Sequence, residues 1–282
     1  MDQSSTSTGA YRNKQRVLVF CSRGINSRHR HLMEDVRRLL PHHKKDVKLD
    51  IGKGESLNAA INTIAEMKTC NSTLFFESRK KQDLYLWMGR TPQGPSAKFH
   101  VMNIHTMDEL KLTGNSLKGS RPLLNFDAAF NGAPQWQILK TMLIDVFGTP
   151  RGHPKSKPFI DRIMSFYVCD GKIWVRNYQI LDKGPGGSLE KKLESKGEEF
   201  VSLVEMGPRL VLTPIRIFSG SFGGATLYQN PAYVSPNTVR ASKRREKGAK
   251  YENRTEAKLQ TRAKREERGV PELDDVLREQ FK

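Results

Sequence analysis

Residues 200–218 read FVSLVEMGPRLVLTPIRIF, and the rest of the chain is organised around them. Two apolar runs of strand composition, Phe200 to Met206 and Leu210 to Phe218, are joined by Gly207 and Pro208, a dipeptide that punctuates sheets. Upstream, Ile163 to Val168 and Ile173 to Leu181 flank Cys169, Asp170 and Gly171, and Asp-Gly between such runs is a short-hairpin signal. The four runs together predict a meander.

An earlier stretch repeats that order: Ser72 to Glu77, a polar turn, Leu84 to Gly89, then Gly94 and Pro95 opening a run from Lys98 to Ile104. Aligned, GPSAKFHVMNI sits over GPRLVLTPIRI. Each set follows a short apolar run (Val17 to Phe20; Leu123 to Phe126) and a helical pattern (Arg28 to Leu40; Pro134 to Phe147). Two copies of one βα-plus-meander unit account for this, and chance coincidence of two ordinary meanders is the alternative. The expected fold is α/β (α+β), with two similar tandem halves, each a mixed β-sheet with packed helices. The halves span 14–120 and 121–235, meeting at the Gly, Ser and Lys-rich KLTGNSLKGSR of Lys111 to Arg121. A polar arm (1–13) and an insertion (182–199) read as disordered or flexible, and a basic extension occupies 236–282.

The chain has 282 residues, 37% hydrophobic, enough for a sizeable core. Its net charge of +18 is localised: residues 11–48 hold 11 basic against 3 acidic side chains, and residues 240–268 hold 12 against 5. Charge placed this way favours a polyanionic partner, nucleic acid before anionic membrane. The longest apolar runs fall short of a membrane span, and MDQSSTSTGAYRN lacks an apolar signal core. Cys21, Cys70 and Cys169 form an odd, widely spaced set, which argues for reduced thiols inside a cell.

The first helical pattern, capped by Ser27 and ended by Pro41, places Leu32, Val36, Leu39 and Leu40 inward. Arg23, Arg28 and Arg30 crowd its N-terminal end, where the macrodipole is already positive and each cation costs about 0.3–1 kcal/mol unless an anion intervenes. With Arg37, Arg38, Lys44 and Lys45 they make a candidate phosphate patch, whose plain alternative is a solvated basic face. A second helix is expected within 53–69. From Asn237 to Arg268 the chain is charged nearly all round, with Leu259 the one large aliphatic residue after Arg240. It reads as disordered in the free protein, or as a helix held by i,i+4 pairs, with Lys243, Arg244 and Arg245 as RNA contacts. VPELDDVLREQF beyond it has Leu273, Val276, Leu277 and Phe281 on one helical face.

Motifs of catalysis are missing. GKGES at Gly52 to Ser56 lacks the P-loop frame, and GSFGGA at Gly220 to Ala225 is read as a glycine-rich turn. His29 with His31, and His42 with His43, lack partners at zinc-ligand spacing. No catalytic group, metal ligand or cofactor is assigned. Phe99, Tyr178 and Tyr228 lie near basic residues where bases could stack, with core packing the default for each.

SRGINSRHRHLMEDVRRLLPHHKKDVKLD, TLFFESRKKQDLYLWM and FVSLVEMGPRLVLTPIRIF closely resemble the Brix-domain proteins of ribosome assembly, over roughly residues 14–235. The resemblance implies a nucleolar factor for the large ribosomal subunit that binds precursor rRNA beside other assembly factors and ribosomal proteins, without catalytic activity. It also implies two halves, each like the anticodon-binding domain of class II aminoacyl-tRNA synthetases. A segment of this family likened to a bacterial sigma-factor motif and tied to RNA binding falls on Gly207 to Phe218. Gly207, Pro208 and Arg209 match it residue by residue, and the remainder, Arg216 included, fits by character. An RNA-processing enzyme or nucleotide-dependent remodeller, and a protein scaffold with an incidental basic surface, are the competing readings.

Overall fold

The computed structural model describes residues 15–49, 56–181 and 202–269. The N-terminal arm, most of GKGES, the 182–199 insertion and the segment from Val270 onward lie outside the described residues. The strands are β1 (Val17–Ser22), β2 (His43–Leu49), β3 (Ser72–Arg79), β4 (Asp83–Arg90), β5 (Ser96–His105), β6 (Arg121–Phe126), β7 (Ile160–Cys169), β8 (Lys172–Leu181), β9 (Ser202–Glu205), β10 (Arg209–Phe218) and β11 (Thr226–Gln229). The helices are α1 (Ser27–Leu39), α2 (Leu57–Met67), α3 (Met107–Leu110), α4 (Pro134–Phe147) and α5 (Pro236–Glu267).

All eleven strands join one mixed sheet, ordered β2-β1-β3-β4-β5-β10-β8-β7-β6, with β9 on β8 and β11 on β10. Read outward from the central β5–β10 pair, both sides begin alike, with two antiparallel pairings and then a parallel one; the parallel connection carries α4 on one side and α1, β2 and α2 on the other, where β2 adds an outer strand. The central register is self-complementary. The alignment that lays Gly94–Pro95 on Gly207–Pro208 also lays His100 on Thr213, Phe99 on Leu212 and Val101 on Pro214. In the sheet His100 faces Thr213, Phe99 faces Pro214 and Val101 faces Leu212, so exchanging the strands leaves these pairs unchanged, while register shifts that set Val211 on Met102 and Arg216 on Lys98 break the exchange on either side. Ser96 opposite Phe218 and His105 opposite Arg209 obey the same exchange. Strands from residues 17–105 and 121–229 thus share one sheet and a core, and the described residues up to Tyr233 belong to one compact unit. A second begins at Val234.

Helices α1 and α4 bury Leu32, Met33, Val36, Leu139, Leu143 and Phe147 against one sheet face, in a core running from β1 to β8. On the other face α2 sets Ala60, Ile61 and Ala65 over Leu18, Phe20 and Phe75. Every residue of β1 from Val17 to Cys21 is buried, as expected of a parallel strand covered on both sides. Arg162 on β7 is buried and donates to Leu39 O and, at 3.3 Å, to Ser120 O, tying the C-terminal end of α1 to the second half. Burial pulls its guanidinium down to about 10.

Several expectations shift. Phe200 to Met206 and Leu210 to Phe218 are not neighbouring strands: β9 and β10 lie one after the other along the same edge of β8. Pro208 has no N–H to offer a ladder, and Gly207 takes φ +71 beside Leu110 Cδ1, so the strand line bends there. Met206 N bonds Asn177 O across the bend at 3.0 Å. Gly94, its counterpart, has φ +92, and a Cβ there would meet the backbone of Ser219 and Gly220 at 2.5 Å. Asn26, not Ser27, precedes α1 as its cap. Strand β2 falls on a stretch, HKKDVKL, too polar to show strand alternation. GSFGGA forms the expected turn, pinned by Ser96 Oγ donating to Gly220 O at 2.7 Å and accepting from Phe222 N at 2.9 Å.

Candidate nucleic-acid interface

Strands β1 and β3 run parallel, so their C-terminal ends lie side by side, and the turn after β1 delivers the N-terminus of α1 to the same end. Gly24 takes φ +73 in that turn. Arg23 and Arg30 are exposed there, and no acidic side chain occupies the first turn of α1. The helix N-terminus and its arginines therefore present positive potential toward solvent, the arrangement that binds phosphate oxygens. Arg28 behaves differently. It donates to Ile104 O and to Glu109 at 3.3 Å, its side chain half exposed. His29 between them is buried and its pKa is lowered, by burial first and then by Arg28.

Because β4 returns antiparallel from β3, the tight turn of Lys80, Lys81 and Gln82 also projects from this end. Lys80 and Lys81 are exposed with left-handed φ of 51° and 56°. Sequence reading passed over both, although KKQD between two apolar runs is a turn signal. Strand β5 brings His105 to the same end, and the central pairing sets Arg209 opposite it. Arg209 binds Glu205 with both forks, at 2.5 and 2.6 Å, and Arg176 adds a contact of 3.5 Å, which holds the Glu205 carboxyl below its ordinary range. One end of the sheet thus gathers Arg23, Arg30, Lys80, Lys81 and Arg209, with Asp83, Asp108, Glu109 and Glu205 as acids at the same end.

Four of the expected contacts are placed elsewhere. Arg37 is 3% exposed, donating to Val19 O at 2.7 Å, Asp46 O at 3.1 Å and Glu34 at 2.5 Å, so it is a structural group that RNA cannot reach. Lys44 and Lys45, on the outer strand β2, pair with Leu18 and Val19, about 17 and 13 Å along the strand direction from Arg23 at 3.3 Å per residue. They do not form one patch with it. Arg38 stays exposed, 3.6 Å from the buried Asp35 carboxylate. Arg216 is exposed beside Lys98 and Gln229, toward the opposite end of β10 from Arg209. Phe99 is fully buried and cannot stack on a base, and Tyr228 packs against the main core.

The sheet face away from α1 and α4 carries Tyr167 opposite Trp174, with Arg176 5.8 Å over the Trp174 ring and Tyr178 beyond. Tyr167 is 39% exposed. Residues 237–267, for which the sequence left disorder or an ion-paired helix open, are helical: Ser235 caps α5, its Oγ accepting from Thr238 N at 3.2 Å, and none of the helix's residues is buried. Lys243, Arg244 and Arg245 lie in its first turns, all exposed. Among the described residues there is no group of acidic, His or Cys side chains arranged to hold a metal, and no helix long and apolar enough to cross a membrane.

A mixed sheet with helices on both faces and cations collected at one end of it defines an α/β module with one positively charged sheet end. The Brix domain profile matches residues 22–216, and the chain belongs to the Brix-domain family. It is 50% identical over 261 residues to the ribosome biogenesis protein BRX1 homolog of Xenopus laevis, covering 93% of this chain and 71% of that one. It is likewise 50% identical over 257 residues to ribosome biogenesis protein BRX1 of Saccharomyces cerevisiae, covering 91% and 86%. The BRX1 homolog 1 of Arabidopsis thaliana matches at 50% over 267 residues, covering 93% and 81%. A crystal structure of a probable ribosomal biogenesis protein from Aeropyrum pernix K1 superposes with TM-score 0.44 at 14% identity, covering 71% of this chain and 96% of that one.

Proposed function

We propose that this protein is a non-catalytic RNA-binding assembly factor in ribosome biogenesis, acting on precursor rRNA of the large subunit in the nucleolus, beside other assembly factors and ribosomal proteins. The names of its relatives support the process. The observation that carries the RNA reading is the convergence of Arg23, Arg30, Lys80, Lys81 and Arg209 at one end of the sheet, next to a helix N-terminus without an acidic first turn. Such a surface binds phosphates by counterion release, so affinity falls steeply with salt. With about 6 phosphates neutralised, RNA affinity drops roughly a thousandfold between 50 and 200 mM salt. A salt titration on a large-subunit precursor fragment checks this, and a flat curve overturns the reading. Crosslinking in cells, mapped to single nucleotides, identifies the RNA.

A further inference from the structure

Helix α5 is 32 residues long, about 48 Å at 1.5 Å per residue, and buries nothing. At 100° per residue, nine of its eleven Lys and Arg side chains, from Arg240 through Lys247, Arg254 and Lys258 to Arg265, fall within an arc of about 120°. Between Arg240 and Arg265 only Tyr251, 70% exposed, and Thr261 share that arc. All five glutamates fall outside it, as do Arg245 and Lys264, so Arg245 leaves the set of expected contacts. Composition explains the net charge of this helix but not its one-sidedness. A helix kept in water by ion pairs mixes the signs around its surface. Here like charges follow one another at i,i+4, as at Arg240 and Arg244, Arg254 and Lys258, or Lys258 and Arg262, each pair mildly unfavourable until an anion lies across it. The Arg262–Glu266 contact of 3.2 Å spans the boundary between the two faces.

The stripe is straight, roughly 38 Å from Arg240 to Arg265, and its charges recur about once per 5.4 Å turn. A rigid line of cations that long matches a polymer whose phosphates are already held in a row. An RNA duplex offers that, together with a wide shallow groove read by shape and phosphate contact, whereas a single strand would first have to be straightened. We infer that α5 is a binding site for duplex RNA, its basic stripe laid along one phosphate row with Tyr251 at its centre. This rests on the RNA-binding reading above and adds the structural class of RNA and the face that meets it.

The test uses the full chain with three probes: a 20-base-pair RNA duplex, a 20-nucleotide oligouridylate and polyglutamate. Two variants remove equal charge, K247Q/K258Q on the stripe and R245Q/K264Q off it. The first is expected to lower the duplex salt slope by about two units, and the second to leave it unchanged. Circular dichroism checks that both keep the helix. A third variant, E246K/K247E/E256K/K258E, preserves composition while breaking the stripe and is expected to bind the duplex at least tenfold more weakly. Equal losses on both faces would reduce α5 to a diffuse polycation and overturn the proposal. So would tighter binding of oligouridylate, or duplex and polyglutamate bound alike. Failure of the unaltered chain to bind any RNA would instead sink the RNA-binding reading itself.

Discussion

Helices α1 and α5 are both rich in arginine, yet the fold treats their cations in opposite ways. On α1, Arg28 reaches Ile104 O and Glu109, Arg37 is buried against Val19 O and Asp46 O, and Arg38 leans on Asp35. On α5 no residue is buried, and the cations gather on one side. The difference follows from packing. An amphipathic helix docked on a sheet brings its flanking cations within reach of carbonyls and carboxylates, and any guanidinium drawn inside must be satisfied there because an unpaired buried charge is costly. A helix without an apolar stripe never faces that demand. Positive charge in the sequence therefore stays at the surface throughout α5 and only partly on α1.

The largest expected effect is on Arg37. Arg37→Ala strips donors from two backbone carbonyls and an acidic partner, and should cost about 3 kcal/mol of unfolding free energy. Urea denaturation reads that loss, while the RNA salt slope should stay as it was. A stable variant with weakened binding would erase the contrast between the helices.

Acid is the next lever, because the first half also buries basic groups that fold uncharged. Burial, then His153, lowers His42 from 6.5 to about 4. Between those values the unfolded chain binds a proton that the folded protein refuses, so stability is full above about 6.5 and is lost as pH falls toward 4. The loss from His42 should reach roughly 2 kcal/mol by pH 5, at 1.36 kcal/mol per unit. His29, His43 and His153 are lowered in the same direction. Urea midpoints at pH 7.5 and pH 5 measure it, and His42→Leu should flatten the dependence.

At the N-terminus of α1 the arginines should separate. Arg28→Glu sets a carboxylate against Glu109 and removes the bond to Ile104 O, for a loss of about 0.5–1 kcal/mol at this half-exposed site. Arg30→Glu meets only the favourable helix dipole, so stability should hold or rise slightly while the RNA salt slope falls by about one unit. Paired denaturation and RNA titrations decide, and equal stability losses would show Arg30 to be as structural as Arg28.

The smallest effect on the domain is expected from the basic helix. Ending the chain after Tyr233 should change the unfolding free energy of the remaining unit, read by urea denaturation, by less than about 0.5 kcal/mol. A larger shift would mean that the cations of the extension, like those of α1, serve the fold.

Much of the architecture was legible in the residues. The repeated Gly-Pro openings at Gly94 and Gly207, the Asp170–Gly171 hairpin and the apolar spacing of α1 and α4 placed the strands and helices because period and turn chemistry are local properties. The charge of α5 was equally plain, and its one-sidedness follows from spacing once the helix is granted. What the residues could not state was who stands beside whom. Strand β2 is too polar to announce itself, and Lys44 and Lys45 lie next to Arg38 in the chain's charge map but far along the sheet from Arg23. The pairing of β5 with β10, which sets Arg209 opposite His105 and at the same sheet end as Lys80 and Lys81, joins segments about a hundred residues apart. Likewise, Arg30 and Arg37 are indistinguishable as letters, and only the depth of Arg37 beneath α1 made it structural. Charge and periodicity belong to the chain, whereas burial and juxtaposition arise when distant strands meet and desolvate the groups between them.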